Sequence, residues 1–167
     1  SNAGVVATDT TGVGTARNNL AATEYGEDKA IFGYGSTGSN VSMTNLVSNS
    51  GVVATDVTGV GTARYGVAAC GYGGDKGIFG FGNTGSVTGV TNLVSNSGVV
   101  ATDVSAVGTA RDGLAACEYD LDKAIFAYGT AGSSVSISNL VSNSGVVASD
   151  VTGVGTARGV LAACSFN

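Results

Sequence analysis

The phrase GVVATD opens at Gly4, Gly51 and Gly98 and returns as GVVASD at Gly145, so the chain repeats itself every 47 residues without insertion or deletion. Three copies are complete (residues 4–50, 51–97 and 98–144), and a fourth, residues 145–167, ends on Cys164-Ser165-Phe166-Asn167. A period of this length marks a supersecondary unit that cannot bury its apolar side alone and stacks on copies of itself. Residues 4–167 are therefore read as a single repeat domain. Ser1-Asn2-Ala3 lies outside the repeat and reads as a remnant of tag removal.

Composition narrows the unit to β-structure. The chain is 43% hydrophobic, enough for a folded core, and it carries 28 glycines with no proline or tryptophan. Glycine beside Val, Ile, Phe, Tyr and Thr suits many short strands joined by tight turns. No apolar run approaches the roughly 18 residues of a membrane span, so no membrane partner is expected. The seven basic residues occupy two repeat positions only, Arg17/Arg64/Arg111/Arg158 and Lys29/Lys76/Lys123. Asp9, Asp56, Asp103 and Asp150, with Asp28, Asp75 and Asp122, cancel them. The net charge of −5 comes from acids outside the pattern: Glu24, Glu27, Asp112, Glu118 and Asp120. With no basic stripe beyond the repeat, a nucleic-acid partner is not expected.

Each unit divides into four short apolar runs. In the second copy these are residues 51–57 (GVVATDV), 67–72 (VAACGY), 76–81 (KGIFGF) and 87–94. Gly73-Gly74-Asp75 supplies a hairpin turn between the second and third runs. Runs of five to eight residues with no 3.6-residue period exclude helices. The expectation is all-β, with four antiparallel strands per unit and about three and a half units per chain.

Four strands in 40–50 residues is the pattern of a propeller blade. Arg64-Tyr65-Gly66-Val67-Ala68-Ala69, then Gly77-Ile78-Phe79-Gly80-Phe81-Gly82, then the later Val-containing strand resemble the kelch motif. That motif is an Arg, a small apolar strand, and an aromatic strand ending in glycine. The kelch Gly-Gly pair is replaced here by Gly80-Phe81-Gly82, and the tryptophan of the outer strand is missing. The resemblance implies a β-propeller with VAACGY innermost, KGIFGF second, the Asn92-Leu93-Val94 strand third and VVATD outermost. The near-identical phrases DKAIFGYG and TNLVSNSGVVATD also resemble repeats in phage and marine environmental proteins. A β-trefoil and a β-solenoid are the competing architectures, and the partial fourth copy has no place in a closed three-fold trefoil.

Propellers need at least four blades to close. About fourteen strands per chain, doubled, would make seven blades of four, although the seam blades would then lack their middle strands. Self-association that hides raw ends and edges is expected, as a homo-oligomer with a dimer the simplest case.

Most motifs read as structural. Asp56 and Arg64, flanking a glycine turn in every copy, are expected to pair and tie an outer strand to the following unit. Asp75-Lys76 reads as a solvated turn, and Asn92 and Asn96 as backbone-bonding loop ends. Cys70, Cys117 and Cys164 share one repeat position, and a whole unit between them would put disulfides out of reach; they read as small buried hydrophobes. With no histidine and no Cys-x-x-Cys spacing, neither a metal site nor a cofactor is expected. Gly33-x-Gly35-x-x-Gly38 matches a nucleotide fingerprint by spacing only, because it ends a strand and opens no helix. Without histidine there is no Ser-His-Asp or Cys-His nucleophile, and the chain is not expected to be an enzyme.

The copies differ from one another after the Arg and between the third and fourth apolar runs (residues 36–43, 83–90 and 130–137). On a four-stranded blade those two loops share one rim, and loops on a rigid scaffold are where binding resides. The candidate ligand-binding residues are Asn18, Asn19, Asn40, Tyr65, Asn83 and Asp112, with Tyr65 the first anchor candidate. The functional expectation is a non-catalytic binding or structural repeat module that offers this rim to a protein or glycan. A lectin with equivalent pockets between blades, and a two-carboxylate hydrolase on a propeller scaffold, are the alternatives.

Overall fold

Nine short strands form three separate antiparallel sheets in the computed structural model, which describes residues 8–165. The tag-like Ser1-Asn2-Ala3, the first residues of the opening copy, and Phe166-Asn167 lie outside the described residues. Sheet one holds β1 (Ala21–Tyr25), β2 (Lys29–Gly33) and β3 (Thr44–Val47). Sheet two holds β4 (Ala68–Tyr72), β5 (Lys76–Gly80) and β6 (Thr91–Val94). Sheet three holds β7 (Ala115–Tyr119), β8 (Lys123–Ala127) and β9 (Ser138–Val141). Strands are paired in sequence order within each sheet, and no helix occurs among the described residues.

Register repeats as strictly as the sequence. Thr23 pairs with Ile31, Cys70 with Ile78 and Cys117 with Ile125. The hairpin turns place Gly26 and Glu27, Gly73 and Gly74, and Asp120 and Leu121 at positive φ. That left-handed pair matches the right-handed twist of the flanking strands.

The run expected as the fourth strand pairs only in part. Residues 52–57 reach β3 through two bridges, Val47 to Val53 and Thr44 to Val57. Four residues of β3 thus face five, a bulge that interrupts the ladder. A side chain accounts for the gap: Asn45 donates from Nδ2 to the Ala54 carbonyl at 3.1 Å and to Asp56 Oδ1 at 2.9 Å. Asn92 and Asn139 make the same bonds to Ala101 and Asp103, and to Ala148 and Asp150.

This arrangement corrects the expected Asp56–Arg64 pair. Asp56 accepts hydrogen bonds from the Thr15 amide at 2.9 Å and hydroxyl at 2.7 Å, and its Oδ1 lies 3.7 Å from Arg17. Arg64 instead donates to Asn92 Oδ1 at 2.7 Å, to the Phe81 carbonyl at 2.8 Å and to the Thr62 carbonyl at 2.9 Å. The aspartate closes its outer segment onto the loop that opens the same sheet, rather than onto the next one. The reason is the bulge, which turns Asp56 inward toward Asn45. Asn96 also differs from expectation, donating to the Asp75 carboxylate at 2.9 Å and pinning the hairpin that precedes it.

The core lies between sheets. Tyr25, Ile31 and Tyr34 of sheet one pack with Val67, Phe79 and Val94 of sheet two. Tyr72, Ile78 and Phe81 of sheet two pack with Leu114, Phe126 and Val141 of sheet three. Phe79 and Phe126 are completely buried, which contributes roughly 3 kcal/mol each to folding. Each ring needs a glycine opposite it. A Cβ on Gly33 would lie 2.8 Å from Phe79 Cζ, and one on Gly80 would lie 2.7 Å from Phe126 Cζ. Backbone bonds add to the side-chain contacts: Gly35, Gly82 and Gly129 each donate at 3.0 Å to the carbonyl of Arg64, Arg111 and Arg158 in the unit that follows.

Candidate binding rim and axial cleft

The loop opening each sheet pairs with the loop joining its second and third strands. The bridges are Asn18 to Ser36, Tyr65 to Asn83, and Asp112 to Thr130. The two variable regions therefore share one end of the molecule, and the hairpins at residues 26–28, 73–75 and 120–122 lie at the other end of the strands.

A backbone ladder runs across this rim from unit to unit. Gly66 N–H donates to Asn19 C=O at 3.0 Å, Gly113 to Gly66 at 3.3 Å, and Val160 to Gly113 at 2.7 Å. All four residues hold positive φ, 51° at Asn19, 62° at Gly66, 56° at Gly113 and 54° at Val160. Glycine adopts that conformation freely and asparagine does so more readily than other side chains.

Side chains follow the same path. Asn40 of the first unit donates to the Asn83 carbonyl at 3.3 Å, and Asn83 donates from Nδ2 to Asp112 Oδ2 at 2.9 Å. Tyr65 exchanges backbone bonds with Asn83 at 2.9 and 3.1 Å. Asn19 donates to the neighbouring Asn18 side chain at 3.3 Å, and its carbonyl takes the Gly66 amide. Asn40, Tyr65, Asn83 and Asp112 thus form one half-buried polar line across three units, with exposed Asn18 and Asn19 at its start.

A second concavity lies where the first strands of the sheets meet. A cleft of ≈ 180 Å³ is lined by Thr23, Cys70, Cys117 and Cys164, with flanking residues of all four units. The cysteines are unpaired, but a whole unit does not separate their surroundings: Cys70 on β4, Cys117 on β7 and Cys164 in the fourth copy line one space together with Thr23 on β1. Cys70 is buried, Cys117 half-buried and Cys164 exposed, so the reading as small buried hydrophobes fits the first alone. Burial pushes the Cys70 thiol far above its ordinary range, and it is inert as a nucleophile.

Two off-pattern acids belong to this cleft. Glu24 and Glu118 share a repeat position with Gly71, and both carboxylates converge on it. Glu24 Oε1 touches the place a Gly71 Cβ would occupy, and Glu118 Oε2 lies 3.5 Å from that place. Desolvation, then the facing charge of Glu24, raises the Glu118 carboxyl above its usual value. The residues were visible in sequence as departures from the repeat, but nothing there said that the repeat position faces the place where the first strands meet. Among the described residues no group of three or more His, Cys, Asp or Glu side chains is placed to hold a metal ion.

No protein-family model matches the chain, and no curated protein matches its sequence.

Proposed function

We propose that the three sheets are blades of a β-propeller, each completed by its bridged outer segment as a fourth strand. On this reading the protein is a non-catalytic binding or structural module whose rim takes a polar ligand, a protein loop or a glycan. The observation that carries it is the continuous line Asn40–Asn83–Asp112 beside Tyr65, which joins the variable loops of three units into one surface. Amide and carboxylate groups held by fixed backbone, next to an aromatic ring, suit hydrogen-bonding ligands that also need a flat face.

The two alternatives have less support. The cleft holding Glu24 and Glu118 measures ≈ 180 Å³, below the roughly 300 Å³ at which ligand pockets begin. That is too small for a sugar ring between two catalytic carboxylates. The groove between the outer segments of sheets one and two, ≈ 220 Å³, is lined mostly by Leu46, Val57, Val60, Val99 and Val100, with the hydroxyls of Thr44, Thr58 and Ser97 but no side-chain amide or charged group. A lectin pocket between blades would need such groups.

The test is a glycan array and a displayed-peptide library screened with the intact chain. A ligand whose binding falls about tenfold in Tyr65→Ala and Asn83→Ala, with the far-ultraviolet spectrum unchanged, supports the rim. Ligands indifferent to both substitutions, or lost only in Glu118→Gln, refute it.

A further inference from the structure

We infer that Cys117 and Cys164 join in a disulfide when a thiol oxidant is present, a covalent clasp that holds the fourth copy against sheet three. The inference stands apart from what the rim binds.

Sequence spacing argues against such a bond, because the two cysteines lie a full period apart. The fold cancels that separation. The Arg158 carbonyl accepts the Gly129 amide at 3.0 Å, and the Val160 amide donates to the Gly113 carbonyl at 2.7 Å. The Arg158 guanidinium also lies 3.9 Å from the centre of the Tyr128 ring. Gly113 and Val160 are equivalent repeat positions, so the tail begins in register with the third unit and within backbone hydrogen-bond reach of it. Four residues further along each stretch stand Cys117 and Cys164. The register persists that far: Ala116, Cys117 and Glu118 line the cleft from β7, and their counterparts Ala163, Cys164 and Ser165 line it from the tail. Cys117 also feels Cys164 electrically, its thiol being raised by burial first and by the Cys164 charge second.

A disulfide needs Cα atoms roughly 4.4–6.8 Å apart and side chains turned toward one another. Residues that line one cleft from adjacent stretches of chain meet the second condition. The tail supplies any adjustment that the first requires, because among the described residues no backbone hydrogen bond reaches 161–165. Cys70 lacks that freedom. It is buried on β4, and β4 and β7 are each tied along their length to the second strand of their own sheet. Its thiol is also the inert one, whereas Cys117 is half-buried and Cys164 exposed.

The oxidant is a small disulfide, oxidised glutathione for example, and it meets exposed Cys164 first. The Cys164 thiolate attacks one glutathione sulfur, forming a mixed disulfide and releasing one glutathione thiolate. Cys117 then gives its proton to water, and its sulfur attacks Cys164 Sγ and expels the second glutathione thiolate. Two protein thiols lose two electrons between them, and one glutathione disulfide gains both. The clasp closes the chain into a ring from Cys117 to Cys164, which restricts the unfolded state. It also fixes Val160, the last rung of the rim ladder.

Trypsin provides the test, since cuts after Arg64, Lys76, Arg111, Lys123 and Arg158 leave each cysteine in its own peptide. These are 65–76 for Cys70, 112–123 for Cys117 and 159–167 for Cys164. The intact chain is treated with oxidised glutathione at micromolar concentration and digested without reductant. Peptides 112–123 and 159–167 should emerge linked, and free thiols should fall from three to one. The thermal midpoint should rise, and dithiothreitol should reverse the rise. Cys117→Ser and Cys164→Ser should each abolish the link and the rise, while Cys70→Thr, which copies Thr23, should keep both. Should Cys70→Thr fail to fold, the wild-type digest decides alone. A link through 65–76, a Cys164 bond between two chains, a stable glutathione adduct on Cys164, three thiols surviving oxidation, or a midpoint that does not rise would each overturn the inference.

Discussion

The guanidinium of Arg64 lies 4.2 Å from the centre of the Tyr34 ring, and Tyr34 belongs to the sheet before it. Arg111 stands at the same distance over Phe81. Each arginine thus bonds within its own sheet and stacks on its neighbour, joining two levels of the structure through one side chain. Burial lowers the Arg64 pKa, with the nearby Tyr34 opposing, yet an arginine stays charged throughout the accessible range.

Arg64→Lys should be destabilising by about 2–4 kcal/mol, since lysine keeps the charge but loses the planar fork and the stacked face. Urea unfolding will measure it. The same change at exposed Arg158 should shift stability by less than about 1 kcal/mol, and equal effects at the two sites would contradict the account.

Asn92→Ala removes the acceptor of buried Arg64 and the donor to Ala101 and Asp103 together. A loss of about 3 kcal/mol is expected, seen as a lower thermal midpoint. Asn45→Ala should cost a similar amount, because Asn45 takes the same bond from Arg17, whose side chain is only 4% exposed.

Gly80→Ala places a methyl group against the Phe126 ring and should cost about 1–3 kcal/mol by overpacking. Ala127→Gly, where no following ring occupies the site within the chain, should cost no more than about 1 kcal/mol from added backbone freedom. Denaturant midpoints of the two variants will decide; a neutral Gly80→Ala would mean that the sheets are not packed as described.

Acid should unfold the protein through its latches. Hydrogen bonds from Thr15, then Asn45, lower the Asp56 carboxyl. At Asp103 and Asp150 burial pushes upward and is outweighed by bonds from Thr62 and Asn92, or Thr109 and Asn139, so these also end low. A depressed folded value stabilises above the ordinary carboxylate pKa and is lost as pH falls through the folded one. The thermal midpoint should stay level from neutrality to about pH 5 and fall below about pH 4. Asp103→Asn should flatten that fall.

Glu118 has the opposite sign. Its raised carboxyl means that stability declines as pH rises from the unfolded value through the folded one. Glu118→Gln should therefore raise the thermal midpoint at pH 7, with the gain vanishing near pH 3. No gain at neutrality would show that Glu24 and Glu118 do not repel.

Much of this fold was legible because each unit repeats both its strands and its turns. Gly73-Gly74-Asp75 announced a hairpin, and the short apolar run KGIFGF after it announced a strand. The partner of Asp56 was not legible, since it depends on a bulge created by Asn45, a residue that reads as an ordinary loop end. Nor could the meeting of Glu24 and Glu118 at Gly71 be foreseen. Their sequence separation says nothing about the curvature that brings first strands together, whereas the shared rim of Asn40, Tyr65, Asn83 and Asp112 follows from strand order alone.

In the rim ladder, every amide reaches back to a carbonyl exactly one period earlier, from Val160 to Gly113, Gly113 to Gly66 and Gly66 to Asn19. The thread has a direction, like a screw. A stray insertion would throw every later rung out of step, while copying a whole period adds a rung and disturbs none. Growth by duplication is the one change of length that this architecture absorbs without relearning how to fold.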